Sequence, residues 1–92
     1  MIQARELAKA RNFKMDLPEI EYMLGYSKFI QQNYSVAKSE LEHAKMLAEQ
    51  ENNKVLQLAI HDKLGEIDMI MGNYEDAAEH LFQYWKLRRE LF

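Results

Sequence analysis

A chain of 92 residues makes one small domain that buries somewhat over ~60% of the surface exposed when it is unfolded. At 48% hydrophobic and 29% charged, with three glycines and one proline, it is a globular, helix-leaning mixture and not a disordered one. The absence of cysteine excludes a disulfide framework, thiolate chemistry and a Cys-based zinc site, and it points to a reducing cytoplasm. A net charge of −3 argues against the basic stripe of a nucleic-acid binder. No apolar run approaches the ~20 residues that span a bilayer. The start, Met1 to Glu6, has mixed charge and no apolar core, so neither a membrane segment nor a signal peptide is expected.

In chain order, Ile2, Ala4, Leu7, Ala8 and Phe13 have the three- and four-residue spacing of one helix face, which predicts a helix over 1–13. Asp16-Leu17-Pro18-Glu19 is a helix start. Asp16 stands where its carboxylate can accept from free backbone N–H groups, Glu19 lies three residues on, and Pro18 is tolerated in the first turn. The second helix should run to about Gln32. Asn33 is placed to cap a third, from Tyr34 to about Gln50, whose apolar stripe is Val36, Ala37, Leu41, Ala44, Leu47 and Ala48. Polar residues 49–53 mark a loop. A fourth helix follows from about Lys54 to Met71, and Gly72 is suited to the left-handed conformation that ends it. Asn73 should cap a fifth helix reaching the C-terminus. No segment alternates as a strand does, so the fold class is all-α.

Sliding the chain on itself by 40 residues aligns Ala4 with Ala44, Leu7 with Leu47, Ala8 with Ala48, Ile20 with Ile60 and Leu24-Gly25 with Leu64-Gly65. The same offset aligns Ile30 with Ile70, Asn33-Tyr34 with Asn73-Tyr74, Ala37 with Ala77 and Leu41 with Leu81. Small and apolar residues recurring at one spacing describe helix pairs that bury their faces only by stacking on neighbours. Small residues at Gly25, Ala37 and Ala44 would let backbones approach, and Tyr34 and Tyr74 would fill the gap beside each turn.

This pattern resembles the tetratricopeptide repeat (TPR) family. Leu64-Gly65, Gly72-Asn73-Tyr74, Ala77 and Leu81 carry the likeness, with Leu24-Gly25, Asn33-Tyr34, Ala37, Leu41 and Ala44 in the earlier copy. The likeness implies a right-handed superhelix of about five antiparallel helices in the order B-A-B-A-B: a half repeat at 1–13 and repeats at 16–52 and 54–92. The chain departs from the family in its period, 40 residues instead of about 34. It also has Lys28 and Asp68 where an aromatic usually stands, Gln32 for the turn glycine and Tyr84 for a small residue. The longer period is similar to that of the arrays in bacterial peptide-sensing regulators.

The resemblance implies a non-catalytic scaffold that holds a peptide or helix in a concave groove. Carried onto this chain, the groove positions are Glu19, Tyr22, Tyr26, Phe29 and Ile30 from one pair, and Ala59, Asp62, Glu66, Met69 and Ile70 from the other. Aromatics and methionine supply adaptable contact area and the carboxylates attract Lys or Arg. Tyr26, Asp62 and Glu66 replace the Lys, Arg and Asn that the family uses to clamp acidic tails. The last helix carries Leu81, Phe82, Tyr84, Trp85, Leu91 and Phe92 around much of its circumference, which predicts a homo-oligomer or a piece of a longer array. The alternative is a peptide-sensing segment of a larger regulator. His61, Asp62 and Glu66 lie close in sequence, but too few ligands converge for zinc, and His43, His61 and His80 read as solvated surface residues. No nucleophile elbow, phosphate loop or HExxH is present. No enzyme activity, cofactor, metal, nucleic acid or membrane is therefore expected.

Overall fold

The structure is a computed structural model that describes residues 16–92. The helix expected over 1–13, and with it the half repeat, lies outside the described residues. Four helices follow: α1 (Leu17–Ile30), α2 (Tyr34–Gln50), α3 (Lys54–Ile70) and α4 (Tyr74–Leu91). Among the described residues each helix packs on the next in sequence, α1 also reaches α3, and α2 and α4 do not meet. Contact is thus limited mainly to neighbours in the chain.

Three turns set this geometry, and they are alike. Residues 31–33, 51–53 and 71–73 each place their middle residue in the left-handed region: Gln32 at φ 64°, Asn52 at 55° and Gly72 at 80°. At each middle residue the N–H donates to the carbonyl three residues back, and at the next residue to the carbonyl five back. Asn33 N donates to Lys28 O at 2.9 Å, Asn53 N to Ala48 O at 2.9 Å and Asn73 N to Asp68 O at 2.7 Å. This is the Schellman pattern, so Asn33, Asn53 and Asn73 each close one helix and begin another. Only Asn53 also caps with its side chain, accepting from Leu56 N at 3.1 Å. Asp16 and the side chains of Asn33 and Asn73 make no capping bond, contrary to the sequence expectation. The 40-residue period is thus two helix–turn units of 20 residues each, as the left-handed positions 32, 52 and 72 show.

The core lies between α2 and α3. Ala37, Leu41, Ala44 and Ala48 form one fully buried stripe on α2, facing Ile60, Leu64 and Ile67 of α3. A second stripe on α3, made of His61, Gly65 and Asp68, is also buried, because α4 covers it. The pair α1–α2 closes tightly on Gly25, where an added Cβ would stand 2.7 Å from Leu41 Cγ. Ile20 and Leu24 repeat Ile60 and Leu64, yet they are 41% and 49% exposed where their counterparts are sealed by α2.

Candidate functional site

Two constellations stand out, one on the face shared by α1 and α3 and one at the seam of α2, α3 and α4. On the first, helical spacing stacks Tyr22 on Tyr26 and Tyr26 on Phe29, each with ring centroids 6.2 Å apart. Phe29 then meets Tyr34 of α2 edge-on at 5.9 Å. Lys63 of α3 reaches over this shelf, with Nζ 5.2 Å from the Tyr26 ring centroid and 5.5 Å from that of Phe29, a cation–π geometry. It also pairs with Glu66 at 3.4 Å. Burial works against the Lys63 charge, but Glu66 and Asp62 outweigh it and hold its pKa above the usual lysine value. Burial raises the Tyr22 phenol, against the lowering pull of Lys63.

Tyr22, Tyr26, Phe29, Asp62 and Glu66, all expected at a groove, are therefore gathered around Lys63, which the sequence reading passed over. A cavity of about 410 Å³ opens at Tyr22, Met23 and Tyr26. A second, about 310 Å³ and mainly apolar, lies where Glu19 meets Asn53, Val55, Leu56 and Ala59. Ile30 and Met69 stand exposed at the far ends of the same two helices.

The second constellation corrects the reading of His61 and His80 as solvated, whereas His43 is exposed as expected. His61 is buried and His80 nearly so, with Nδ1 atoms 3.0 Å apart. His61 falls on the α3 stripe that α4 covers, and His80 projects from α4 onto the same seam. Asp68, with no exposed surface, lies 3.6 Å from His80 Nε2 through Oδ2 and 2.7 Å from Lys38 Nζ of α2 through Oδ1. Neither carboxylate oxygen has a well-aligned hydrogen bond despite that short approach; charge proximity, more than directed bonding, neutralises Asp68. Asp68 in turn raises the Lys38 pKa.

At 3.0 Å one of the two facing Nδ1 atoms donates and the other accepts, so the neutral rings take opposite tautomers. Burial pushes His61 down to about 4, helped by His80 and Lys45. Burial also lowers His80, with Asp68 opposing. A polar cleft of about 260 Å³ opens here between Lys45, Glu49, Glu79 and Gln83. Among the described residues no three His, Asp or Glu side chains are placed to hold a metal ion.

Of the residues assigned to self-association, Leu81 turns partly inward, coming within 3.3 Å of a Cβ built on Gly65. Tyr84 and Leu91 are half-buried, while Phe82, Trp85 and Phe92 point outward. Tyr84 packs edge-on to Trp85 at 5.7 Å, and the Arg88 guanidinium lies 5.1 Å from the Trp85 ring centroid. No described helix is long and apolar enough to cross a membrane. Comparison with protein-family models, curated proteins and solved structures returned no match.

Proposed function

We propose that this chain is a non-catalytic, TPR-like interaction module of the cytoplasm, holding a peptide or helix against the α1–α3 face as the concave side of a right-handed superhelix. The observation that carries the reading is the aromatic shelf of Tyr22, Tyr26 and Phe29 beside Lys63 and the Asp62 and Glu66 carboxylates. Tyr26 is exposed while Tyr22 and Phe29 pack partly on the core, and partly open rings beside fixed charge suit a binding face: rings supply contact at low entropic cost and charges set the register. The outer face of α4 is the second working surface, and self-association through it accompanies groove binding.

A fluorescently labelled amphipathic helix of leucine and lysine is a direct probe. Binding to the parent chain should fall at least about tenfold in the double variant Tyr26→Ala/Glu66→Ala, equal to about 1.4 kcal/mol. Unchanged binding in that variant, with its helical content intact, would remove the groove from consideration.

A further inference from the structure

The α1–α3 face and the C-terminal half of the outer face of α4 are complementary in charge. On the first, Glu19, Asp62 and Glu66 stand against one cation, Lys63, already engaged with Glu66 and two aromatic rings. On the second, the C-terminal half of α4 carries Lys86, Arg88 and Arg89 against Glu90, which is paired with Lys54 at 3.2 Å, while the exposed Glu75, Asp76 and Glu79 lie in the N-terminal half. Phe82, Trp85 and Phe92 project from that face, and a cavity of about 360 Å³ lies between Trp85, Arg88, Arg89 and Phe92. We propose that the α1–α3 face of one copy takes the α4 face of a second copy, with Trp85 and Phe92 on the tyrosine shelf and Arg88 and Arg89 against Asp62 and Glu66.

The occupant follows from what each surface repels. Two α4 faces packed on each other would bring Lys86, Arg88 and Arg89 against the same three cations, a like-charge contact that costs several kcal/mol. Two α1–α3 faces would do the same with carboxylates. Only the crossed pairing matches acid to base and aromatic to aromatic. Because the two patches differ, the contact is head-to-tail and leaves one of each free on a pair, so assembly continues into a closed ring or an open filament. The proposal rests on the α1–α3 face being a binding face, and it names what fills that face.

Sedimentation of the full chain at rising concentration should show mass growing past that of one copy, and shrinking with added salt as surface charge is screened. Trp85, the only tryptophan, should shift its emission to the blue as mass grows. Reversing the base (Arg88→Glu/Arg89→Glu) or the acid (Asp62→Lys/Glu66→Lys) should each weaken association by at least about tenfold. Mixing the two reversed variants should restore it, because each then offers what the other lacks. Asp62→Asn/Glu66→Gln, which adds no repulsion on Lys63, should give a smaller loss of the same sign.

A parent chain that stays monomeric up to about 1 mM, or reversed variants that associate as the parent does, overturns the proposal. If the leucine–lysine probe still binds such a monomer, the groove stands without this occupant; if the probe also fails, the groove reading falls with it.

Discussion

The two helix pairs share one backbone plan and fill the same joint with opposite chemistry. At the contact of α3 with α4 sit His61 and His80; forty residues earlier, at the contact of α1 with α2, stand Glu21 and Glu40. The glutamates are half-buried and close enough to perturb each other. Glu40, with His43 3.4 Å away, lowers Glu21, and Glu21 in turn raises Glu40. The histidines are buried, and the charge behind them is Asp68, where the first pair has Lys28. The aromatic shelf belongs to the first pair alone. Tyr34 is held by Phe29, but the residue equivalent to Phe29 is Met69, and Tyr74 is left 66% exposed. The expectation that both tyrosines fill a gap beside their turns is met only in the first.

The largest effect should come from unpairing Asp68. Lys38→Met removes the cation 2.7 Å from a carboxylate with no exposed surface and should destabilise the fold by about 3 kcal/mol. The double variant Lys38→Met/Asp68→Leu should recover most of that loss, since a shape-filling apolar pair carries no stranded charge. Urea unfolding of both variants checks it. If the single variant matches the parent, Asp68 is solvated and the sealed joint is not real.

The glycines separate the pairs next. A Cβ on Gly25 would meet Leu41 Cγ at 2.7 Å and Cδ2 at 2.9 Å, and Leu41 is fully buried. Overpacking of that kind costs about 1–3 kcal/mol, more than the helix propensity gained. At Gly65 the nearest atom is Leu81 Cδ2 at 3.3 Å, the far end of a side chain that is partly exposed and free to turn. Gly65→Ala should therefore be neutral or stabilising by up to about 0.8 kcal/mol, whereas Gly25→Ala should lower the unfolding midpoint. Equal effects would mean the two pairs close alike.

Acid should act mainly on the second pair. His61 titrates at about 4 in the folded chain and near ~6.5 when unfolded. Below that unfolded value the unfolded chain binds a proton that the folded one refuses. The stability carried by the neutral ring is complete above pH ~6.5 and is lost as pH falls toward about 4. His80 is shifted in the same direction, so the slope can reach about 1.4 kcal/mol per pH unit for each proton taken up. In the first pair, lowered Glu21 and raised Glu40 oppose each other. Denaturation midpoints measured across that window should fall with pH in the parent and flatten in His61→Gln/His80→Gln. A parent with no slope there would restore the histidines to the surface.

Much of the architecture was legible because it is local. Gly25, Gly65, Ala37, Ala77 and the asparagines before each helix sit at fixed offsets and need no knowledge of partners. The groove residues were legible in part: Tyr22, Tyr26, Phe29, Asp62 and Glu66 converge, but Lys63 between them was missed because its role depends on reaching across to α1. The histidine pair was missed for the same reason, since two residues 19 apart meet only once α3 and α4 pack. A signal existed. His61 and Asp68 flank Gly65 at helical spacing, so a stripe that carries the close-approach glycine also carries two ionisable residues, which is hard to explain on a solvated face.

The smallest effect tests the one feature that both pairs and the link between them share. Gln32, Asn52 and Gly72 adopt the same left-handed conformation, but their side chains differ in what it costs. A Cβ crowds the following carbonyl there by about 1–2 kcal/mol for most residues, less for asparagine and not at all for glycine. Gln32→Gly should therefore stabilise the chain, by somewhat less than about 1 kcal/mol because glycine also gains freedom in the unfolded state. Asn52→Gly should change stability by only a few tenths, and Gly72→Gln should cost about what Gln32→Gly returns. The ordering of the three midpoints matters more than any one of them. If Gln32→Gly destabilises, residue 32 is not left-handed, and the equivalence of the turns that sets the 20-residue unit fails at its first member.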